Sequence, residues 1–240
     1  MIYRLLFIFF LFSSFISVSH SSDDPWLIID KAAKATKFLN YKGVFRSQHN
    51  KKIKSIEITH ATNNEQEFVR MNVLDGSPGE VLSQGKTTYV YNTIEDNVII
   101  QKRKKQRLFP AIFPSNVETL RDFYRLSIGK TERIAGRLSQ LIVLSPIDDF
   151  RYFHYFWLDR KSFLPLKMIV IDKNENIIEQ ASFTQINMIS NKNLDWFKPD
   201  VDPSKNYIFD DKIVGQGILK NRFWRVKKIP PGYKEVDFRT

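Results

Sequence analysis

Cysteine is absent from this 240-residue chain. Its absence excludes disulfides, thiol redox chemistry, cysteine-held metals and acylation on an N-terminal cysteine. Histidine is scarce: His20, His49, His60 and His154 are all there are, and none falls in a metal-binding spacing such as HExxH. His154 lies in an aromatic stretch and His49 in a turn, which suits structural or solvent-facing roles. No GxSxG, phosphate-loop or GxGxxG pattern occurs. Asp148 and Asp149 are adjacent, so in extended chain their carboxylates point apart and do not make a catalytic pair. Acidic residues are also few, 26 against 37 Lys and Arg, for a net charge of +11. These gaps argue for binding rather than catalysis, with no metal and no cofactor.

Long apolar runs are lacking too, with one exception at the start. Met1–Arg4 is short and positive, Leu5–Val18 is apolar, and small polar residues follow at Ser19, Ser21 and Ser22. That is the layout of a secretory signal peptide cleaved near Ser21–Ser22. The run is shorter than the roughly 20 residues that span a bilayer core. The expectation is therefore an exported, soluble mature protein. For such a protein nucleic acid is not an expected partner. Its positive field would steer anionic lipid headgroups, lipopolysaccharide phosphates or an acidic protein segment. Compositional drift toward Lys would raise the charge equally well.

Along the mature chain, Asp24-Pro25 reads as an N-cap followed by proline at the first helical position. Ile28, Ala32, Ala35 and Leu39 predict one apolar face of a helix from about Pro25 to Leu39, ending near Asn40. From Tyr41 the period becomes two. Strands are predicted at 41–48, 53–60, 66–74, a hairpin over 81–92, a strand ending at Ile100, and then at 124–128, 133–135, 140–144, 151–158, 165–171 and 177–186. Turns fall at Gly129-Lys130 and Gly136-Arg137 among others. Ser115-Asn116-Val117-Glu118 has the form of a capping box opening a second helix to about Phe123, with Leu120 and Phe123 inward. The sum is an α+β arrangement, a helix-covered antiparallel sheet. After Phe197 proline and charge mark a linker, and a new segment begins at Trp224.

Two features carry binding potential. Arg151–Leu158 is aromatic on both faces, with Phe153, Tyr155 and Trp157 on one side and Tyr152, Phe156 and Leu158 on the other. Core packing explains it, and so does contact with a partner or an apolar ligand. Lys102, Arg103, Lys104, Lys105 and Arg107 crowd five cations into six residues beside Phe109-Pro-Ala-Ile-Phe113-Pro114. A cationic loop next to an apolar segment suits a phosphorylated lipid headgroup and its acyl chains. A solvated loop has the same composition.

Several segments, in order, resemble one family, the periplasmic regulators of envelope stress of the RseB/MucB type. They are Leu39-Asn-Tyr-Lys-Gly-Val-Phe45 with Gln48-His49, Leu74-Asp-Gly-Ser-Pro-Gly-Glu-Val81 and Phe109-Pro-Ala-Ile-Phe-Pro114. There follow Tyr124-Arg-Leu, Arg133-Ile-Ala-Gly-Arg137, Arg151-Tyr, Trp157-Leu-Asp-Arg160, Leu164-Pro-Leu-Lys167 and Glu179-Gln-Ala-Ser-Phe-Thr184. Trp224-Arg-Val-Lys-Lys-Ile-Pro-Pro-Gly-Tyr233 resembles the opening of that family's second domain. The resemblance implies a strongly curved antiparallel half-barrel, lipoprotein-carrier-like, with helices in its concave face. It divides the chain into a signal peptide (1–21), a large domain (22–197), a linker (198–223) and the start of a C-terminal domain (224–240). It implies a periplasmic, non-enzymatic regulator of the sigma-E type response. Such a regulator binds the periplasmic part of a membrane-spanning anti-sigma factor, shields it from proteolysis, and is released by lipopolysaccharide or a related lipid. The short C-terminal part leaves open a lipid or lipoprotein carrier or sensor without an anti-sigma partner. A homo-oligomer is also left open. Lys102, Arg103, Lys104, Lys105, Arg107, Phe109, Phe113, Tyr155 and Trp157 are the candidate lipid or partner contacts.

Overall fold

The structure is a computed structural model, and it describes residues 24–49, 52–63, 66–92, 97–102, 109–114, 116–190, 193–199, 205–210 and 228–233. The segment expected to be a signal peptide lies outside the described residues. The chain begins with helix α1 (Leu27–Phe38). Its start is held by Asp24, whose side-chain oxygen accepts from the Trp26 amide at 3.1 Å. The buried face is Ile29, Ala32, Ala35 and Thr36 rather than the expected Ile28, Ala32, Ala35 and Leu39. The helix is thus rotated by about one position: the β-branched Ile29 goes inward and Ile28 packs at the rim. Leu39 is already extended, so the helix stops at Phe38, just short of the end expected at Leu39 and Asn40. Asn40 instead uses its side chain to accept from the Thr62 amide.

Among the described residues twelve strands form one sheet. They are β1 (Tyr41–His49), β2 (Lys52–Asn63), β3 (Gln66–Val73), β4 (Gly79–Gln84), β5 (Thr87–Asn92), β6 (Asn97–Lys102), β7 (Tyr124–Ile134), β8 (Arg137–Pro146), β9 (Phe153–Asp159), β10 (Pro165–Ile171), β11 (Ile177–Met188) and β12 (Asn206–Asp210). The order across the sheet is β12-β6-β5-β4-β3-β2-β1-β11-β10-β9-β8-β7. Neighbours are antiparallel except β12, which lies parallel to β6. β12 falls inside the stretch expected to be a linker.

The sheet is strongly curved. Three strands separate β7 from β11, and at about 4.8 Å per strand a flat sheet would hold them roughly 19 Å apart. Their Cα atoms nevertheless approach within 8 Å. The hollow face gathers Tyr41, Phe45, Ile58, Val69, Ile142, Leu144, Phe156, Leu158, Leu166 and Phe183 into one core, and Ile29 and Ala32 of α1 pack into it. This is the α+β curved sheet that the sequence implied, although among the described residues α1 is its only α-helix.

Gly43 shows how the curvature is accommodated. A Cβ there would lie 2.5 Å from the Gln185 carbonyl oxygen and 2.8 Å from the Phe183 ring. Glycine lets that ring lie across β1, next to a bulge between Val44 and Phe45.

Three sequence expectations change. The strands expected at 124–128 and 133–135 are one strand, β7, ending at Ile134, and Gly129-Lys130 is an irregularity in its pairing with β8 rather than a turn. The hairpin turn sits one residue earlier than expected, at Ala135 and Gly136, both with positive φ (46° and 78°) as a two-residue hairpin loop requires. The expected second helix is only a 3₁₀ turn, Glu118–Leu120. The Asn116 side chain accepts from the Glu118 amide, and the Glu118 carboxylate pairs forward with Arg121 at 2.7 Å. A helix-opening box needs that carboxylate to reach backward.

The second 3₁₀ turn, Leu194–Phe197, covers the opposite face of the sheet. Phe197 is fully buried there against Ala61, Leu82, Tyr91 and Val98. Arg70 Nη1 donates to the Trp196 carbonyl at 2.8 Å and holds the turn down.

Candidate functional site

The hollow is lined by aromatic side chains placed by the strand period. Phe45 of β1 and Phe183 of β11 stand 5.6 Å apart, centroid to centroid. Phe109 sits on both, at 5.1 and 5.2 Å. Phe113 meets Phe156 of β9 edge-on at 4.8 Å. Phe156 stacks with His154 at 5.8 Å, and His154 packs against Tyr124 at 5.6 Å. Phe109, Phe113 and Val117 recur every four residues, so one side of an otherwise irregular segment enters the hollow and plugs it.

Polar groups at this face are few and satisfied. His60 is buried and stacks on Tyr41 at 4.8 Å. Its Nδ1 donates to the Leu39 carbonyl at 2.7 Å, and its Nε2 lies 3.1 Å from the Glu67 carboxylate. The imidazole thus ties the end of α1 to β2 and β3. Burial, with the Glu67 charge nearby, pushes the Tyr41 phenol far above its ordinary range, so it stays neutral. Burial lowers His154 to about 4, so this imidazole is neutral too. At the hairpin end of β9, burial pushes Asp159 up, but hydrogen bonds from Arg137 and Ser162 outweigh it and hold the carboxylate below its usual range. Among the described residues no group of three His, Cys, Asp or Glu could hold a metal ion.

The expected contact residues divide into three sets. Phe109 and Phe113 are buried in the hollow. Tyr155 and Trp157 belong to the same strand as Phe156 but point to the outer face, where the Lys167 ammonium lies 4.2 Å from the Trp157 ring. One small ligand cannot touch both sets, because the sheet lies between them. Of the cationic run, Lys102 ends β6, while Arg103, Lys104, Lys105 and Arg107 lie outside the described residues. Sequence reasoning missed Phe45, Phe183 and His154 as lining residues. The period-two alternation of β1, β9 and β11 carried that signal, but it does not say which strands face each other across a curl.

The profile of the MucB/RseB N-terminal domain matches residues 25–201. The chain belongs to the MucB/RseB family. The sigma factor AlgU regulatory protein MucB of Pseudomonas aeruginosa is 26% identical over 210 residues, covering 87% of this chain and 62% of that protein. The sigma-E factor regulatory protein RseB of Escherichia coli is 24% identical over 212 residues, covering 84% of this chain and 62% of its own length. The chain therefore spans less than two thirds of the length of these relatives, which are by name regulatory proteins rather than enzymes. A crystal structure of MucB superposes with a TM-score of 0.64 at 23% identity, over 75% of this chain and 64% of that one. MucB in its complex with MucA from P. aeruginosa gives 0.61 at 23% identity, over 73% and 60%. At that identity the likeness establishes the MucB fold for this chain.

Proposed function

We propose that this protein is an exported, periplasmic regulator of a sigma-E type envelope stress response. It would bind the periplasmic segment of a membrane-spanning anti-sigma factor, shield it from proteolysis, and be released by a lipid such as lipopolysaccharide. Family membership over residues 25–201 carries the reading. A MucB relative of the same fold has been crystallised with MucA. The hollow supplies a physical basis for the lipid step. Its lining is aromatic and its plug, Phe109 to Val117, is a loop rather than a regular element, so an acyl chain could replace the plug at low backbone cost.

The test is a calorimetric titration of the mature chain with the periplasmic segment of its host's anti-sigma factor, repeated with lipopolysaccharide present. Saturable binding weakened by lipopolysaccharide is the expected result. A folded chain that binds no anti-sigma segment would sink the regulatory reading. If that chain still took up lipid, it would be a carrier or sensor, the second reading, which the aromatic hollow favours by itself.

A further inference from the structure

The segment Lys228–Tyr233 carries the Pro-Pro-Gly-Tyr stretch, far along the chain from the strands it touches. Pro230 to Tyr233 form a tight turn in which the Tyr233 amide donates to the Pro230 carbonyl at 3.1 Å. Pro231 and Gly232 occupy its central positions. Gly232 has φ +75°, the left-handed geometry that the third residue of a type II turn demands. The turn lies against the end of the sheet formed by Phe123 and the β8–β9 connection.

Arg151 is the centre of the contact. Its side chain is only 8% exposed and pairs with Asp148. Its guanidinium lies 4.1 Å from the Phe123 ring centroid and 4.7 Å from that of Tyr233. Its Nη2 donates to the Pro231 carbonyl at 2.7 Å. The Tyr233 hydroxyl donates to the Phe150 carbonyl at 2.7 Å. A Cβ on Gly232 would stand 2.2 Å from Phe123 Cζ and 2.7 Å from Arg151 Nη2. Glycine is thus required twice, by the turn and by the closeness of the fit. A guanidinium that contacts two rings while pairing with a carboxylate and donating to a carbonyl uses the planar, many-donor fork that arginine has and lysine lacks.

We propose that the surface around Arg151 is an intramolecular receptor for the Pro230–Tyr233 turn, a joint that fixes the C-terminal part of the chain to the end of the curved sheet. The segment is then a docked element with a defined seat and not a tether. Phe123, one wall of the seat, precedes Tyr124, which packs on His154 of the hollow. The joint is therefore built on the same framework as the candidate site.

The chain has no cysteine, so pairs of spin labels can be placed cleanly, on Lys173→Cys and Lys228→Cys, both at exposed positions. Double electron–electron resonance on the mature chain should give one narrow distance distribution. Arg151→Gln and Gly232→Ala should each lose that narrow peak, and Arg151→Lys should not restore it although it keeps the charge. Gly232 lies outside every strand, so Gly232→Ala should leave the thermal midpoint of the sheet unchanged and separates undocking from misfolding. A distribution already broad in the parent, or one that stays narrow in both Arg151→Gln and Gly232→Ala, would overturn the proposal.

Discussion

His154 is a half-buried imidazole whose charge state couples folding to pH. It stacks on Phe156 and meets Tyr124, with the tyrosine hydroxyl 3.4 Å from Nε2. Burial lowers it from about 6.5 to about 4. Between those values the unfolded chain takes up a proton that the folded chain does not, so the imidazole's contribution is complete above about pH 6.5 and lost as pH falls toward 4. The loss is on the order of 2–3 kcal/mol at about 1.4 kcal/mol per pH unit. Urea unfolding of the parent should show stability declining from pH 7 to 4.5, and His154→Phe should flatten that slope. An equal slope in both proteins would show that other groups set it. Asp24, Asp75, Asp159 and Asp172 are all held below the ordinary carboxylate range. Their contributions are therefore lost at lower pH and do not mimic the effect. The aromatic neighbourhood of His154 was legible in the sequence. Its neutrality was not, because its burial depends on Tyr124 and Phe156 packing against it, and Tyr124 comes from a strand two places away in the sheet.

Among elements, the segment from Lys102 to Val117 joins the end of β6 to the hollow. At its far side Phe109 and Phe113 are buried anchors, so the cations between them and the sheet can change without opening the core. Replacing Lys102, Arg103, Lys104, Lys105 and Arg107 together with Gln should weaken lipopolysaccharide binding and reduce its dependence on salt. The thermal midpoint should not move. Binding unchanged at low salt would remove the loop from the site. The same segment shows where element boundaries were hidden. Ser115 and Glu118 look like helix-opening residues, but a helix shorter than about a dozen residues forms only with tertiary support. Here the support goes to Phe109, Phe113 and Val117 as separate plugs. Strands were easier to place, since alternation such as Tyr41, Gly43 and Phe45 inward with Lys42 and Arg46 outward is local to the chain. The strand β12 carried no comparable signal: it is five residues long and its pairing partner lies about a hundred residues earlier.

At the scale of the whole molecule, one sheet carries two cores on opposite faces. The larger fills the hollow, and the smaller lies under the turn Leu194–Phe197 against β2 to β6. The two share β2, where His60 faces one and Ala61 the other. Strand pairing between them is continuous, so they should unfold together. Phe197→Ala should cost about 3–5 kcal/mol, and fluorescence and circular dichroism should still report coincident single transitions. Separate transitions would mean that the two halves of the sheet are independent units. By itself the sequence determined the lack of thiol chemistry, the antiparallel strand pattern and the family, because each depends on residue type and short-range spacing. Tertiary structure alone decided which aromatics share a face, that Tyr155 and Trp157 are divided from Phe109 and Phe113, and that Pro230–Tyr233 docks on Arg151. Those outcomes follow from how a twelve-stranded sheet curls, a sum of small twists and bulges over strands far apart in the chain.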